Sequence, residues 1–195
     1  MQTEAAIDND FVMHLAEIDN WSKEEHLNYV RLMFEELGVS PIMHELVYAN
    51  ELYGGPDTWV KTKALLFFEN DIIKQKMLDS IADSQAKRNY YKMIFEEIYR
   101  DFRGELSPEI QDVFKDWKSN SSLGETHTVV MCFMLECGIF LSDDNDAKRM
   151  ALIINRKRSF DLKVYNRREA CERIMEIGSA QLNKETRRRL SHVPK

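Results

Sequence analysis

The sequence predicts an α/β protein, a three-layer α/β/α sandwich around a central, mostly parallel sheet of four to five strands. Three observations predict it. Short apolar runs of strand length, above all Ala5-Ala6-Ile7 and Ile139-Phe140-Leu141, alternate with longer stretches of helical period. Both runs end abruptly in acidic residues, as the strands of a parallel sheet do when they deliver functional side chains to their C-terminal edge. The 195 residues, 44% of them hydrophobic, are enough for one domain over residues 1–195 with a buried core.

Element by element, Ala5 to Ile7 forms the first strand and Phe11 to Ile18 a helix. A second helix follows from Ser22 to Leu37, where Ser22 and Glu25 have capping-box spacing, Leu27, Val30, Leu32, Phe34 and Leu37 form an apolar face, and Gly38 ends it. Val39 to Met43 gives a second strand, leading into a helix from Glu45 to Tyr53 that Gly54-Gly55-Pro56 stops. Leu65 to Phe68 is assigned as a strand, Ile72 to Phe102 as one or two long helices, and Ser107 to Trp117 as a further helix, so residues 56–122 read as a largely helical elaboration. Thr126 to Glu136 is an apolar helix capped by Gly138, and Ile139 to Leu141 the next strand. A helix from Ala147 to Asn155, a strand from Asp161 to Tyr165, a helix from Arg168 to Gly178 and a basic helix from Lys184 to Leu190 complete the pattern.

No apolar run reaches the roughly 20 residues of a membrane helix, and the opening MQTEAAIDND lacks the order of a signal peptide, so a cytoplasmic protein without a membrane partner is expected. Three cysteines in apolar or helical surroundings fit a reducing compartment. The net charge of -6 conceals a division. Residues 147–195 carry 14 Lys and Arg against 5 Asp and Glu, whereas residues 1–146 carry 13 against 28. A basic final section attached to an acidic body points to a nucleic acid or other polyanion as partner, or to an acidic protein docking on the basic face.

Four acidic points recur at element junctions: Asp8 after the first strand, Glu45 after the second, Glu125 at a helix start and Asp144 after Ile139 to Leu141. Taken singly, each is also an ordinary helix cap or turn residue. Brought together by neighbouring strands they would repel, and a hard divalent cation such as Mg²⁺ or Mn²⁺ is the usual compensation. The five histidines are scattered, so His44 and His127 read as packing or substrate contacts rather than zinc ligands. A phosphoacceptor domain built on Asp143-Asp144 is excluded, because only 51 residues follow Asp144.

This order of acids resembles the PIN-domain family of metal-dependent nucleases, which includes toxins of bacterial toxin–antitoxin pairs. The resemblance rests on Ala6-Ile7-Asp8-Asn9-Asp10-Phe11, on Ser40-Pro41-Ile42-Met43-His44-Glu45-Leu46-Val47-Tyr48, and on Leu123-Gly124-Glu125-Thr126-His127 followed by Phe140-Leu141-Ser142-Asp143-Asp144-Asn145-Asp146-Ala147. It covers both ends of the chain. The third acid, Glu125, stands where the family more commonly has Asp, and Glu51 is the alternative to Glu45 as the second acid. The resemblance implies a PIN-like sandwich and a ribonuclease using Mg²⁺ or Mn²⁺, with Asp8, Glu45, Glu125 and Asp144 as catalytic acids and Asp8, Glu125 and Asp144 as metal ligands. Asp10, Ser142, Asp143, Asp146 and Glu51 would support them, and Lys148, Arg149, Arg156, Lys157, Arg158, Arg167, Arg168 and Arg187 to Arg189 would hold the phosphate backbone. An antitoxin and a second copy of the chain are further partners it suggests. A non-catalytic PIN-like binding or interaction module is the alternative.

Overall fold

The computed structural model describes residues 2–17, 21–118 and 121–177. Its centre is a five-stranded, all-parallel sheet in the order β3-β2-β1-β4-β5. The strands are β1 Thr3–Ile7, β2 Val39–His44, β3 Lys74–Lys76, β4 Ile139–Leu141 and β5 Lys163–Tyr165. Ala6 lies opposite Ile42 on one side and Phe140 on the other, so β1 is the middle of the sheet. Strand alternation then divides the core in two. Ala5, Ile7, Met43 and Leu141 face one layer, whereas Ala6, Ile42 and Phe140 face the other.

The first layer holds α1 Asn9–Ala16, α2 Lys23–Leu37, α4 Trp59–Glu69 and α9 Arg167–Ile177; the second holds α5 Leu78–Ile81, α6 Gln85–Arg103, α7 Leu123–Met134 and α8 Asn145–Arg158. The Ser22–Glu25 capping box is present in α2, and Gly38, at φ 70°, turns the chain from that helix into β2. After β2 comes one turn of helix, α3 Glu45–Val47, which passes into a π-helix, Tyr48–Tyr53. Among the described residues no helix is long and apolar enough to cross a membrane.

Three expectations from the sequence are corrected. Leu65 to Phe68 is not a strand but part of α4, where the Thr58 side chain caps the helix and Ala64 and Phe67 form its buried face. The third strand is instead the polar Lys74–Lys76, an edge strand paired only with β2 and anchored by Lys76 to Glu4 at 2.8 Å. Ser107 to Trp117 forms turns, not a helix: Asp116 accepts the Gln111 and Asp112 backbone N–H groups, and Asp112 accepts that of Phe114. Side-chain acceptors so placed compete with helical bonding. The left-handed residue after α7 is Glu136, not Gly138. Residues 56–122 are therefore no appendage, since they supply α4 to one layer, β3 to the sheet, and α5 and α6 to the other layer. Gly178 and the basic segment Lys184 to Leu190 lie outside the described residues.

The second layer is pinned to the sheet by a buried polar chain linking β2, α6 and α7. Leu46 N–H donates to His44 Nδ1 at 3.1 Å, which leaves the His44 proton on Nε2 to donate to the Tyr91 hydroxyl at 3.1 Å. That hydroxyl donates to His127 Nδ1 at 2.8 Å, and His127 Nε2–H reaches the Val113 carbonyl at 2.9 Å. Burial holds both imidazoles neutral, pushing His127 down to about 3 and His44 well below its ordinary value. Both histidines are thus core groups with their hydrogen bonds satisfied, as packing rather than metal binding requires. Tyr91→Phe strips the shared hydroxyl from two buried rings, so urea denaturation is expected to register a loss of about 1–3 kcal/mol; an unchanged midpoint would show that the chain of hydrogen bonds contributes nothing.

Candidate active site: the acidic crevice at the strand ends

The sheet order places a topological switch point between β1 and β4. From β1 the chain enters α1 in the first layer, and from β4 it enters α8 in the second, which opens a crevice at the C-terminal ends of the two strands. Asp8 leaves β1 at that edge and caps α1, accepting the Phe11 N–H at 2.8 Å. Asp144 leaves β4 and caps α8, accepting the Asp146 N–H at 2.8 Å. Buried Ser142 lies between the two: its hydroxyl accepts the Asp144 N–H at 3.1 Å, and its presence beside Asp8 partly offsets the upward push of burial on that carboxyl.

Two further acids close the crevice. Glu125 sits in the first turn of α7 and hydrogen-bonds Asp144. Glu51 comes from the π-helix, and its carboxylate lies so close over Gly124 that a Cβ there would stand 2.2 Å from Oε1. The π-helix is held by two devices. Lys61, almost fully buried, donates to the carbonyls of Tyr53 at 2.6 Å and Gly55 at 2.9 Å and to Asp57 at 2.8 Å. Gly55 folds back so tightly that a Cβ would meet the Glu51 carbonyl at 2.4 Å. π-Helical turns are rare and gather at functional sites, and here one aims a carboxylate.

Charge is what distinguishes the crevice. Asp8 is influenced by Asp10 and Glu125, Asp10 by Asp143 and Asp144, Glu51 by Glu125 and Asp10, and Glu125 by Asp144 and Asp10. Burial, reinforced by these like charges, raises Asp8 well above the usual carboxylate range, raises Asp10, and pushes Glu125 up to about 7 and Glu51 to about 8. The remaining expected residues lie elsewhere. Glu45 accepts the Leu78 N–H at 2.7 Å, capping α5, so the second acid of the crevice is Glu51. Asp143 accepts Arg167 Nε at 2.5 Å and contacts His14 Nδ1 at 3.0 Å, and Asp146 pairs with Arg103 at 3.0 Å and Arg149 at 3.6 Å.

The basic residues are placed as follows. Arg156, Lys157 and Arg158 end α8, about 20 Å along its axis from the acids, because the helix starts at the crevice and runs back past the sheet. Lys157 is bound to Asp101 at 2.7 Å and Glu97 at 3.2 Å, and Arg158 to Glu97. Near the crevice, Lys148 is paired with Glu169 at 2.6 Å and Arg168 with Glu172 at 2.8 Å. Arg187 to Arg189 lie outside the described residues. Sequence reasoning missed Arg103, which bonds the Ser122 hydroxyl at 2.8 Å as well as Asp146 and so ties the start of α7 to that of α8. It also missed Lys61, although Asp57 four residues earlier is an ion-pair signal.

Among the described residues, no three His, Cys, Asp or Glu side chains converge closely enough to form a ready-made metal cage. The donor chemistry nevertheless suits a hard cation that keeps several of its waters and needs only a few carboxylate contacts. No family model matches the chain, and neither does any curated protein or solved structure.

Two outcomes are expected. The folded chain retains protons on Glu51 and Glu125 that the unfolded chain has released, so their contribution to stability is fully present below pH 4.5 and is lost as pH rises toward 8. In chelator, urea denaturation should show this decline, and Glu51→Gln should flatten it and gain on the order of 1–3 kcal/mol at the alkaline end relative to the parent; identical slopes would contradict the buried acidic pair. Gly124→Ala fills the notch under Glu51 and is expected to weaken Mn²⁺ binding in calorimetry with the circular dichroism spectrum preserved. Unaltered binding would show that Glu51 needs no such seat.

Proposed function

We propose that the chain is a cytoplasmic, PIN-like ribonuclease that hydrolyses phosphodiester bonds with Mg²⁺ or Mn²⁺ held by Asp8, Glu51, Glu125 and Asp144. The observation that carries this reading is the gathering of these acids, with Asp10 beside them, at the switch-point crevice, where among the described residues none is ion-paired with a lysine or arginine. Carboxylates gathered at buried and half-buried positions without a counter-cation destabilise a fold, and such arrangements persist where a bound cation supplies the charge. When bound, the cation would neutralise charge on the phosphate and make a nucleophile of water at neutral pH.

Each residue has a role set by its position. Asp8, fixed by Ser142 and the Phe11 N–H, is the most rigid donor. Glu51, pushed up to about 8, and Glu125, at about 7, would lose their protons more readily beside a bound cation, so they would supply charge where it is needed. Asp144 is presented by its own helix cap. Arg149 and Arg168, well exposed, would in this reading meet the phosphates that flank the cleaved bond. Arg156, Lys157 and Arg158 have no part in this reading. An antitoxin covering the crevice would belong to the same proposal.

The test is cleavage of a mixed-sequence single-stranded RNA by the purified chain with Mn²⁺ or Mg²⁺, and its loss in chelator. Asp8→Asn keeps a good helix cap and is expected to fold normally while losing more than about 100-fold in rate, since even supporting residues of metal sites cost ~10–100-fold. Lys157→Ala should cleave like the parent. Undiminished cleavage by an Asp8→Asn/Glu125→Gln double variant would sink the assignment, and divalent binding without cleavage would favour the non-catalytic binding module.

A further inference from the structure

The last turn of α7 and the link into β4 carry two cysteines that none of the roles above uses. Cys137 N–H donates to the Cys132 carbonyl at 2.8 Å and Glu136 N–H to the Phe133 carbonyl at 3.3 Å, while Glu136 is left-handed at φ 55°. This is the Schellman ending of a helix, which brings the side chains at the two ends of the wider hydrogen-bonded turn into contact, ordinarily as an apolar pair. Here both are thiols. Bond lengths around the 2.8 Å contact keep the two Cα atoms within about 7 Å, and the bond angles bring them nearer, inside the span that a disulfide bridges.

The two sulfurs have unlike surroundings. Cys132 is fully buried on α7, and burial, with Cys137 next to it, pushes its thiol well above the ordinary range. Cys137 follows exposed Glu136 and precedes half-buried Gly138, where a Cβ would meet nothing nearer than the Asp161 carbonyl at 3.6 Å. It therefore lies just beneath the surface at a helix end, where local opening takes little free energy and admits a small reagent. The neighbouring Cys132 thiol is the chief cause that lowers Cys137 to about 7. The Cys137 thiol otherwise touches the Glu4 carbonyl at 3.1 Å and the Ile139 carbonyl at 3.3 Å, weak bonds that are given up at little cost. Cys171 packs against the other layer of the core, and burial pushes it up to about 11.

We propose that Cys132 and Cys137 are a dithiol site that a hydroperoxide converts to a disulfide, clasping the end of α7 to the start of β4. The Cys137 thiolate attacks the peroxide: an S–O bond forms, the O–O bond breaks, and the departing hydroxide takes up a proton to leave as water. The Cys132 sulfur then displaces hydroxide from the resulting sulfenic acid, so that the S–S bond forms, the S–O bond breaks, and the Cys132 proton leaves with the hydroxide as a second water. Two thiols are oxidised and one hydrogen peroxide is reduced to two waters; a dithiol reductant reopens the bridge by exchange. The site lies at the opposite end of α7 from Glu125 and stands independently of the crevice.

The test treats the full folded chain with hydrogen peroxide at neutral pH, alkylates it and digests it with trypsin. Both cysteines fall in one peptide, because no lysine or arginine lies between Lys118 and Lys148. That peptide is expected to lose two hydrogens and escape alkylation, and to regain two thiols in dithiothreitol, with Cys171 free throughout. Oxygen added at Met131 or Met134 differs in mass and survives dithiothreitol. In Cys132→Ala, dimedone should trap the Cys137 sulfenic acid at least about tenfold faster than it traps Cys132 in Cys137→Ala. Two alkylatable thiols remaining after peroxide, a bridge to Cys171 or between chains, or faster trapping at Cys132 would overturn the site. The peptide map is made on the parent chain, so it decides the matter even where a variant fails to fold.

Discussion

The cost of gathering carboxyl groups where water is partly excluded, added to by their mutual repulsion, is the constraint around which this structure is organised. Asp8, Asp10, Glu51 and Glu125 come from three different parts of the fold, and each is made harder to ionise by burial and by the others. Left to relax, such side chains would turn to solvent. They do not because each is held by something that cannot easily move: a helix cap and a buried serine for Asp8, a glycine notch for Glu51, the first turn of α7 for Glu125. Lys61 illustrates the arrangement. Its charge is spent on the carbonyls that end the π-helix, so it stabilises the element that aims Glu51 without neutralising Glu51 itself.

The disposition of cations follows the same logic. Along the acidic crevice the basic side chains are turned to other acids, Arg167 and His14 to Asp143, Arg103 and Arg149 to Asp146, Lys148 to Glu169. These pairs join α1, α6, α8 and α9 at one pole of the sheet, and most are partly exposed, so each contributes modestly to stability. Their larger effect is to keep cations out of the crevice. The excess of positive charge in residues 147–195 is therefore largely consumed within the fold wherever it is described, and a polyanion can rely on it only through the exposed members.

The fold was legible where residue type and environment agree. Ala5-Ala6-Ile7 and Ile139-Phe140-Leu141 are buried on both faces, so their apolar runs announce central parallel strands, and Ser22, Glu25 and Gly38 mark helix ends by local chemistry. Lys74-Gln75-Lys76 was illegible for the converse reason: an edge strand needs a neighbour's backbone, not apolar side chains, and nothing in its composition says that β2 is free on that side. In the site, Asp8, Glu125 and Asp144 could be found from junctions between elements. The choice of Glu51 over Glu45 could not, because it depends on a π-helical turn that shifts where Glu51 points and on a glycine seventy-three residues away.

That long-range dependence also explains why two of the four acids are glutamates. Asp8 and Asp144 stand at the strand ends themselves, where a short side chain already reaches the crevice and its rotamer is fixed by the cap it makes. Glu51 and Glu125 project from helices packed beside those ends and need the additional methylene to meet them. Each longer side chain has one more rotatable bond, which leaves it able to make small adjustments within its seat. A pocket built from two rigid short acids and two adjustable long ones can close around a cation that keeps part of its water shell, so the absence of a finished cage among the described side chains is compatible with a site completed by its ligand.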